Sequence, residues 1–193
     1  MIIIGEKLNG AIPAVAKAIA ARDSEFIRQR ALAQAKAAQD EDYFEEPVPL
    51  YIDVCASTDP AVELETLKWM IDEVEAAIPE EMEHVAISVD SPSAAVCAKA
   101  FKLCKKPGIV NSVSMEKDAD GIVKTDIVFP AIADTEWGCV ALLCESGIPQ
   151  SVEDRMKVFD KIMERAKHYG IAPNRLYIDP LVETAATNQA AFT

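Results

Sequence analysis

Six short apolar runs, each followed by a longer segment or loop, constrain the fold of this chain more than any other feature. Ile2–Ile4, Leu50–Val54, Val85–Val89, Gly108–Val110, Cys139–Leu143 and Arg175–Ile178 read as strands. Runs this apolar, with little polar alternation, belong to strands buried on both faces, as happens when helices cover both sides of a parallel sheet. Pro13–Ala38 reads as helix, broken near Asp23-Ser24, a pair suited to N-capping. Asp59-Pro60 opens a helix with proline at its first position, and Leu64, Leu67, Ile71, Val74 and Ile78 recur at helical spacing. Ser91-Pro92 opens the next helix and a short one covers Asp126–Thr135. The clearest helix runs from Ser151 to Tyr169, capped by Ser151 and ended by Gly170. Asp40–Pro49 and Ser114–Thr125 read as loops, the second with a turn at Asp120-Gly121.

This order fits an open doubly wound sheet or a β/α barrel. No G-x-G-x-x-G follows a strand and no Walker motif is present, which weakens the nucleotide-binding sheets. A complete barrel has eight βα units in about 250 residues. Six strands in 193 residues keep nearly that proportion.

Charge then narrows the function. A net charge of −13 argues against a nucleic-acid binder and against docking on an anionic membrane. No apolar run approaches the roughly 20 residues of a membrane span, and the apolar start is too short for a signal peptide. The five cysteines form no C-x-x-C pair, and they read as reduced thiols in a cytoplasm. His84 and His168 lie away from any cysteine, so no metal site is expected.

In parallel β/α folds the site forms at the carboxyl ends of the strands. There the chain places Glu6 and Asn9, Asp53 and Cys55, Asp90, Asn111, Cys144 and Glu145, and Asp179. None of these is basic, and none pairs a serine or cysteine with a histidine. Carboxylates and amides suit a neutral, flat, donor-rich ligand such as a 2-amino-4-oxo heterocycle. Each also has a plainer role: an acid after a strand often caps the next helix. That alternative is strongest for Asp90, followed at once by Ser91-Pro92, and weaker for Asn111 and Asp179. Asp53 could instead point inward or pair with a basic group. The cysteines read as small buried apolar groups rather than nucleophiles.

In register with the strands, the segments MIIIGEKLNG, YIDVCAST, ISVDSPS, GIVNSVS, ESGIP and LYIDPL resemble the pterin-binding methyltransferases. These move a methyl group between tetrahydrofolate and the cobalt of a corrinoid protein. More distantly the segments resemble dihydropteroate synthase. The resemblance implies a TIM-type β/α barrel of the dihydropteroate synthase-like kind, a single pterin-binding domain over residues 1–193. By motif it assigns Asp90, Asn111 and Asp179 to the pterin ring, with Asn9 and Glu6 lining the pocket and Asn111 and Asp179 catalytic. It implies tetrahydrofolate or methyltetrahydrofolate as substrate, cobalamin carried by a partner corrinoid protein, and a homodimer. Alternatives are another pterin enzyme such as a dihydropteroate synthase, or a non-catalytic pterin-binding paralogue. After strand two the family often has L-N-V-G or similar, whereas this chain has D-V-C-A, so Asp53 and Cys55 depart from the acetogen pattern and the resemblance gives strand two no role. The chain also carries no seventh strand, where the family places an asparagine near N5. The last two βα units are therefore expected to lie in a longer protein of which this chain is a piece.

Overall fold

A strand buried on both faces leaves no room for polar alternation, and the observed strands follow that rule. In the computed structural model, which describes residues 1–40 and 42–182, every residue of β2 (Leu50–Cys55) but Tyr51 is buried, as is all of β5 (Gly138–Leu142) except its last residue. The chain divides into two compact units.

The first unit comprises residues 1–91 with 99–109. It holds β1 (Ile3–Asn9), β2 and β3 (Val85–Asp90), parallel neighbours in that order, and the helices α1 (Pro13–Ala21), α2 (Ser24–Ala37) and α3 (Glu63–Ala77). β1 runs further than its apolar start, because the polar Glu6-Lys7 pair passes through a shift of register between Gly5 and Leu8. Leu8, Ile52, Leu67, Ile71 and Val89 are among its fully buried side chains.

The break predicted in the first helix is real. Arg22 turns left-handed (φ 51°), and the Asp23 carboxylate accepts the Phe26 N–H at 3.1 Å, capping α2. A side-chain cap of this kind stabilises by about 1 kcal/mol. Asp23→Ala is therefore expected to lower stability by roughly that amount in urea denaturation, with Asp23→Asn within a few tenths of the parent. α3 begins at Glu63 rather than at Pro60, since Asp59 spends its carboxylate on a preceding turn, accepting the Ala61 N–H at 2.8 Å.

The second unit comprises residues 92–98 with the described residues from Val110 onward. It holds β4 (Ile109–Val113, its first residue counted with the other unit), α5 (Lys124–Ile132), β5, α6 (Val152–His168) and β6 (Leu176–Asp179), with β4, β5 and β6 adjacent in that order. The helix α4 (Ala94–Ala100) begins in this unit and ends in the first. Ser151 caps α6 as expected, its hydroxyl accepting the Asp154 N–H at 3.1 Å, and Gly170 (φ 73°) follows that helix. Helix carbonyls at a C-terminus need donors. Arg175 supplies them to α5, donating to the carbonyls of Ile132 at 2.7 Å and Ala133 at 3.2 Å, and it also binds the Trp137 carbonyl ahead of β5 at 2.6 Å.

Candidate functional site

Parallel register carries three strand ends of the first unit side by side. Asn9 is the Cα partner of Cys55, and Cys55 of Asp90. Asp90 ends β3 and does not cap α4. That work falls to Ser93, whose Oγ accepts the Val96 N–H at 3.3 Å. Cys55 stands beside Asp90 on the neighbouring strand, where its thiol favours the ionised carboxylate, and its sulfur lies 3.2 Å from Ser57 Oγ. Ser57 Oγ is in turn 3.2 Å from Asn9 Oδ1, which also accepts the Ala11 N–H at 2.9 Å. Asn9 thus spends its side-chain carbonyl on the turn into α1.

Asp90 is held above the usual carboxylate range. Burial raises it most, the Cys55 thiol opposes that, and the nearby Glu6 and Glu63 charges add to the rise. Glu6 is exposed, whereas Glu63 is buried and accepts the Ser91 hydroxyl at 2.7 Å. Asp53 faces into the unit, 1% exposed, and takes the Ser88 hydroxyl at 2.5 Å on the neighbouring strand.

In the second unit Asn111 lies within β4 rather than at its end, because the strand continues to Val113. It is half-buried, and its main-chain carbonyl faces the Cys97 thiol at 3.8 Å. Asp179 ends β6 beside Leu142 and is half-buried. Its Oδ1 accepts the Leu181 N–H at 2.8 Å and its main-chain carbonyl accepts the Leu143 N–H at 2.9 Å. Glu145 is drawn away from any strand-end role, bound by Lys161 at 2.6 Å on the surface. Cys144 donates to the Gly147 carbonyl at 3.2 Å.

One basic residue near a strand end is not signalled by the strand pattern. Arg155 on α6 is 5% exposed and donates from Nε to the Pro180 carbonyl at 2.9 Å, next to Asp179. Its signal lies in the helix instead: with Val158, Ile162 and Ala166 it shares the buried stripe of α6, where a charge is out of place.

A family model described as pterin binding enzyme matches residues 51–193. The chain belongs to the pterin-binding enzymes. That membership bears out the barrel-like β/α architecture that the family resemblance implies, one of the two architectures the strand–helix alternation allows. Over 195 aligned residues it is 45% identical to the methylcorrinoid:tetrahydrofolate methyltransferase of Eubacterium limosum, with all of this chain aligned. The chain spans 65% of the length of that relative.

The cysteines offer no activated nucleophile. None of the five cysteines is in a disulfide. Burial pushes the thiols of Cys55 and Cys104 up to about 12 and raises those of Cys139 and Cys144, so they stay protonated at neutral pH. Among the described residues no cluster of histidine, cysteine or acid is placed to hold a metal, and no helix is long and apolar enough to cross a membrane. What remains at the strand ends is a set of acceptors and amides, the chemistry that matches the amino group, ring N–H and carbonyl of a pterin.

Proposed function

We propose that this pterin-binding enzyme transfers a methyl group between a methylcorrinoid protein and N5 of tetrahydrofolate. The observation that carries the reading is 45% identity along the whole chain to an enzyme named for that reaction. The strand-end chemistry supports it. Asp90, Asn111 and Asp179 hold the pterin ring by its amino, ring N–H and carbonyl edges, and Asn9 and Glu6 line the pocket. The corrinoid arrives on a separate partner protein, and the free thiols suit a reducing cytoplasm.

Towards folate, the N5 lone pair forms a bond to the methyl carbon and the cobalt–carbon bond breaks. The bonding pair stays on cobalt, leaving Co(I), and N5 gives up its proton. Towards the corrinoid the same bonds exchange, and N5 must be protonated or strongly hydrogen-bonded to leave. No side chain forms a covalent intermediate, in keeping with the protonated thiols. The protein contributes position and a preorganised polar surround. Asn111 and Asp179 are assigned here as the groups that fix the ring orientation during transfer.

The test mixes the full-length protein with tetrahydrofolate and methylated corrinoid proteins and follows the cobalamin absorbance. Conversion of methylcobalamin to its demethylated form, with methyltetrahydrofolate appearing in equal amount, is the expected result. Tetrahydrofolate binding with every methylcorrinoid protein left intact would make the protein a non-catalytic binder. Release of diphosphate from a pterin diphosphate would make it a synthase.

A further inference from the structure

Cys55, at the end of β2, has a specific neighbourhood. Cys55 is 4% exposed and stands between Asn9 and Asp90 in the parallel register. It adjoins both, as the register neighbour of Asp90 and through Ser57 to Asn9. Ser57 is held at φ 46°, a left-handed conformation that a non-glycine residue adopts at some cost. That conformation places its hydroxyl between the Cys55 sulfur and the Asn9 amide.

We infer that Cys55 is a positioning residue for Asp90: its thiol hydrogen, steered by the Ser57 hydroxyl, fixes the carboxylate in the orientation that receives the substrate. This role rests on the pterin-binding function proposed for the chain and adds to it a residue that the family resemblance leaves without one.

Hydrogen counting sets the direction of the chain. Cys55 and Ser57 carry one side-chain hydrogen each. With Asp90 ionised, the carboxylate takes the thiol hydrogen and the sulfur takes the Ser57 hydroxyl hydrogen. Asn9 Oδ1 then keeps the Ala11 N–H alone. With Asp90 protonated, its own hydrogen points to sulfur, the thiol turns to Ser57, and the Ser57 hydroxyl turns to Asn9 Oδ1. The observed contacts, 3.2 Å on both sides of Ser57 Oγ, serve either direction. An alanine at 55 removes the link in both directions, whereas a serine keeps a donor and an acceptor there. The thiol stays protonated at neutral pH, because burial most of all, and the Asp90 charge after the opposing Ser57 bond, push it up to about 12. The charged groups facing Asp90 are Glu6 from β1 and Glu63 from α3, and both repel its negative charge. The thiol on β2 is a donor that acts against that repulsion.

The experiment uses the full-length protein with carbon-13-labelled aspartate carboxyls, the Asp90 signal being assigned by its loss in Asp90→Asn. Cys55→Ala is expected to move the Asp90 titration midpoint upward, because a donor to the ionised form is lost. The same variant should raise the tetrahydrofolate Kd at about pH 7 by fivefold to tenfold, the loss of roughly one hydrogen bond. Cys55→Ser should return the midpoint toward the parent value and hold Kd within about twofold. A cysteine that merely fills space would give Cys55→Ala a lower melting temperature with midpoint and Kd unmoved, and that result overturns the inference. So does a shifted midpoint with unchanged Kd, which leaves a contact without a positioning role. If Cys55→Ala does not fold, Cys55→Ser decides alone, and an Asp90 midpoint that tracks an unfolded aspartate in it overturns the proposal. A parent protein that binds no tetrahydrofolate overturns the pterin reading and the positioning role together. A parent that binds it, loses binding in Asp90→Asn and ignores Cys55→Ala overturns the Cys55 role alone.

Discussion

Asp179→Asn is expected to weaken tetrahydrofolate binding by about 10- to 100-fold, the worth of one charge-assisted hydrogen bond or a bidentate pair. The substitution isolates the ligand contribution. The Leu181 N–H that Asp179 Oδ1 accepts at 2.8 Å can bind an amide oxygen equally, so the turn after β6 is preserved and stability holds. Asp90→Asn should weaken binding by a similar factor but with a second effect of opposite sign. In the folded protein Asp90 holds its proton more tightly than in the unfolded chain, through burial and the charges of Glu6 and Glu63. Its contribution therefore favours folding below the ordinary aspartate pKa of 3.8, and it is lost as pH rises through the raised folded value. Above that window the ionised, buried Asp90 costs stability that an asparagine does not. Urea denaturation without folate at about pH 4 and about pH 8 should show the advantage of Asp90→Asn over the parent growing with pH. Isothermal titration of the same proteins with tetrahydrofolate should show the loss of affinity. Parent-like affinity in both variants would remove the pterin assignment, and a stability gap that shrinks with pH would remove the account of the Asp90 environment.

The parts of this molecule written in local chemistry are legible in the amino-acid sequence. Ser151 and the Asp23-Ser24 break announce helix starts because a cap needs only a side-chain oxygen within three residues of its donor. The apolar runs announce parallel strands because burial on both faces suppresses alternation. Strand ends are less secure. The apolar run ending at Val110 predicts a shorter β4, yet the strand passes through Asn111 and Ser112 to Val113, since main-chain pairing with neighbours tolerates polar side chains. The sequence neighbours of Asp90 suit a helix cap as well as a strand end, and what separates the two roles is that Ser93 caps α4. The Asn9–Ser57–Cys55–Asp90 chain is not legible in the sequence at all. It depends on two strand registers and on one left-handed serine, none of which leaves a periodic trace. A cysteine is ordinarily a small buried apolar group, and that expectation hides Cys55 in plain view.

Gly10→Ala is expected to be the most damaging single substitution near the candidate site, costing about 3 kcal/mol, the upper part of the range for forcing a carbon into filled space. An added Cβ would lie 2.0 Å from the Ala56 carbonyl oxygen and 2.8 Å from its carbon. Those atoms are main chain in a buried residue, so no rotamer change relieves the overlap. The turn after β1 and the segment after β2 must separate instead. That motion breaks the Gly10 N–H bond to the Cys55 carbonyl at 2.9 Å and pulls Ser57 from Asn9. Tetrahydrofolate affinity should fall with stability, because Asn9, Cys55 and Asp90 lose their shared register. Gly5→Ala, within β1 itself, is the control. Its Cβ would meet the Gln34 side-chain oxygen at 2.6 Å, the end of a flexible side chain that accepts only a 3.2 Å bond from the Lys7 N–H. That overlap relaxes by rotating Gln34, for a cost of about 1 kcal/mol or less. Urea denaturation of the two variants measures the difference directly. If Gly10→Ala and Gly5→Ala fall within about 1 kcal/mol of one another, the close approach of β1 to the segment after β2 does not constrain this part of the site.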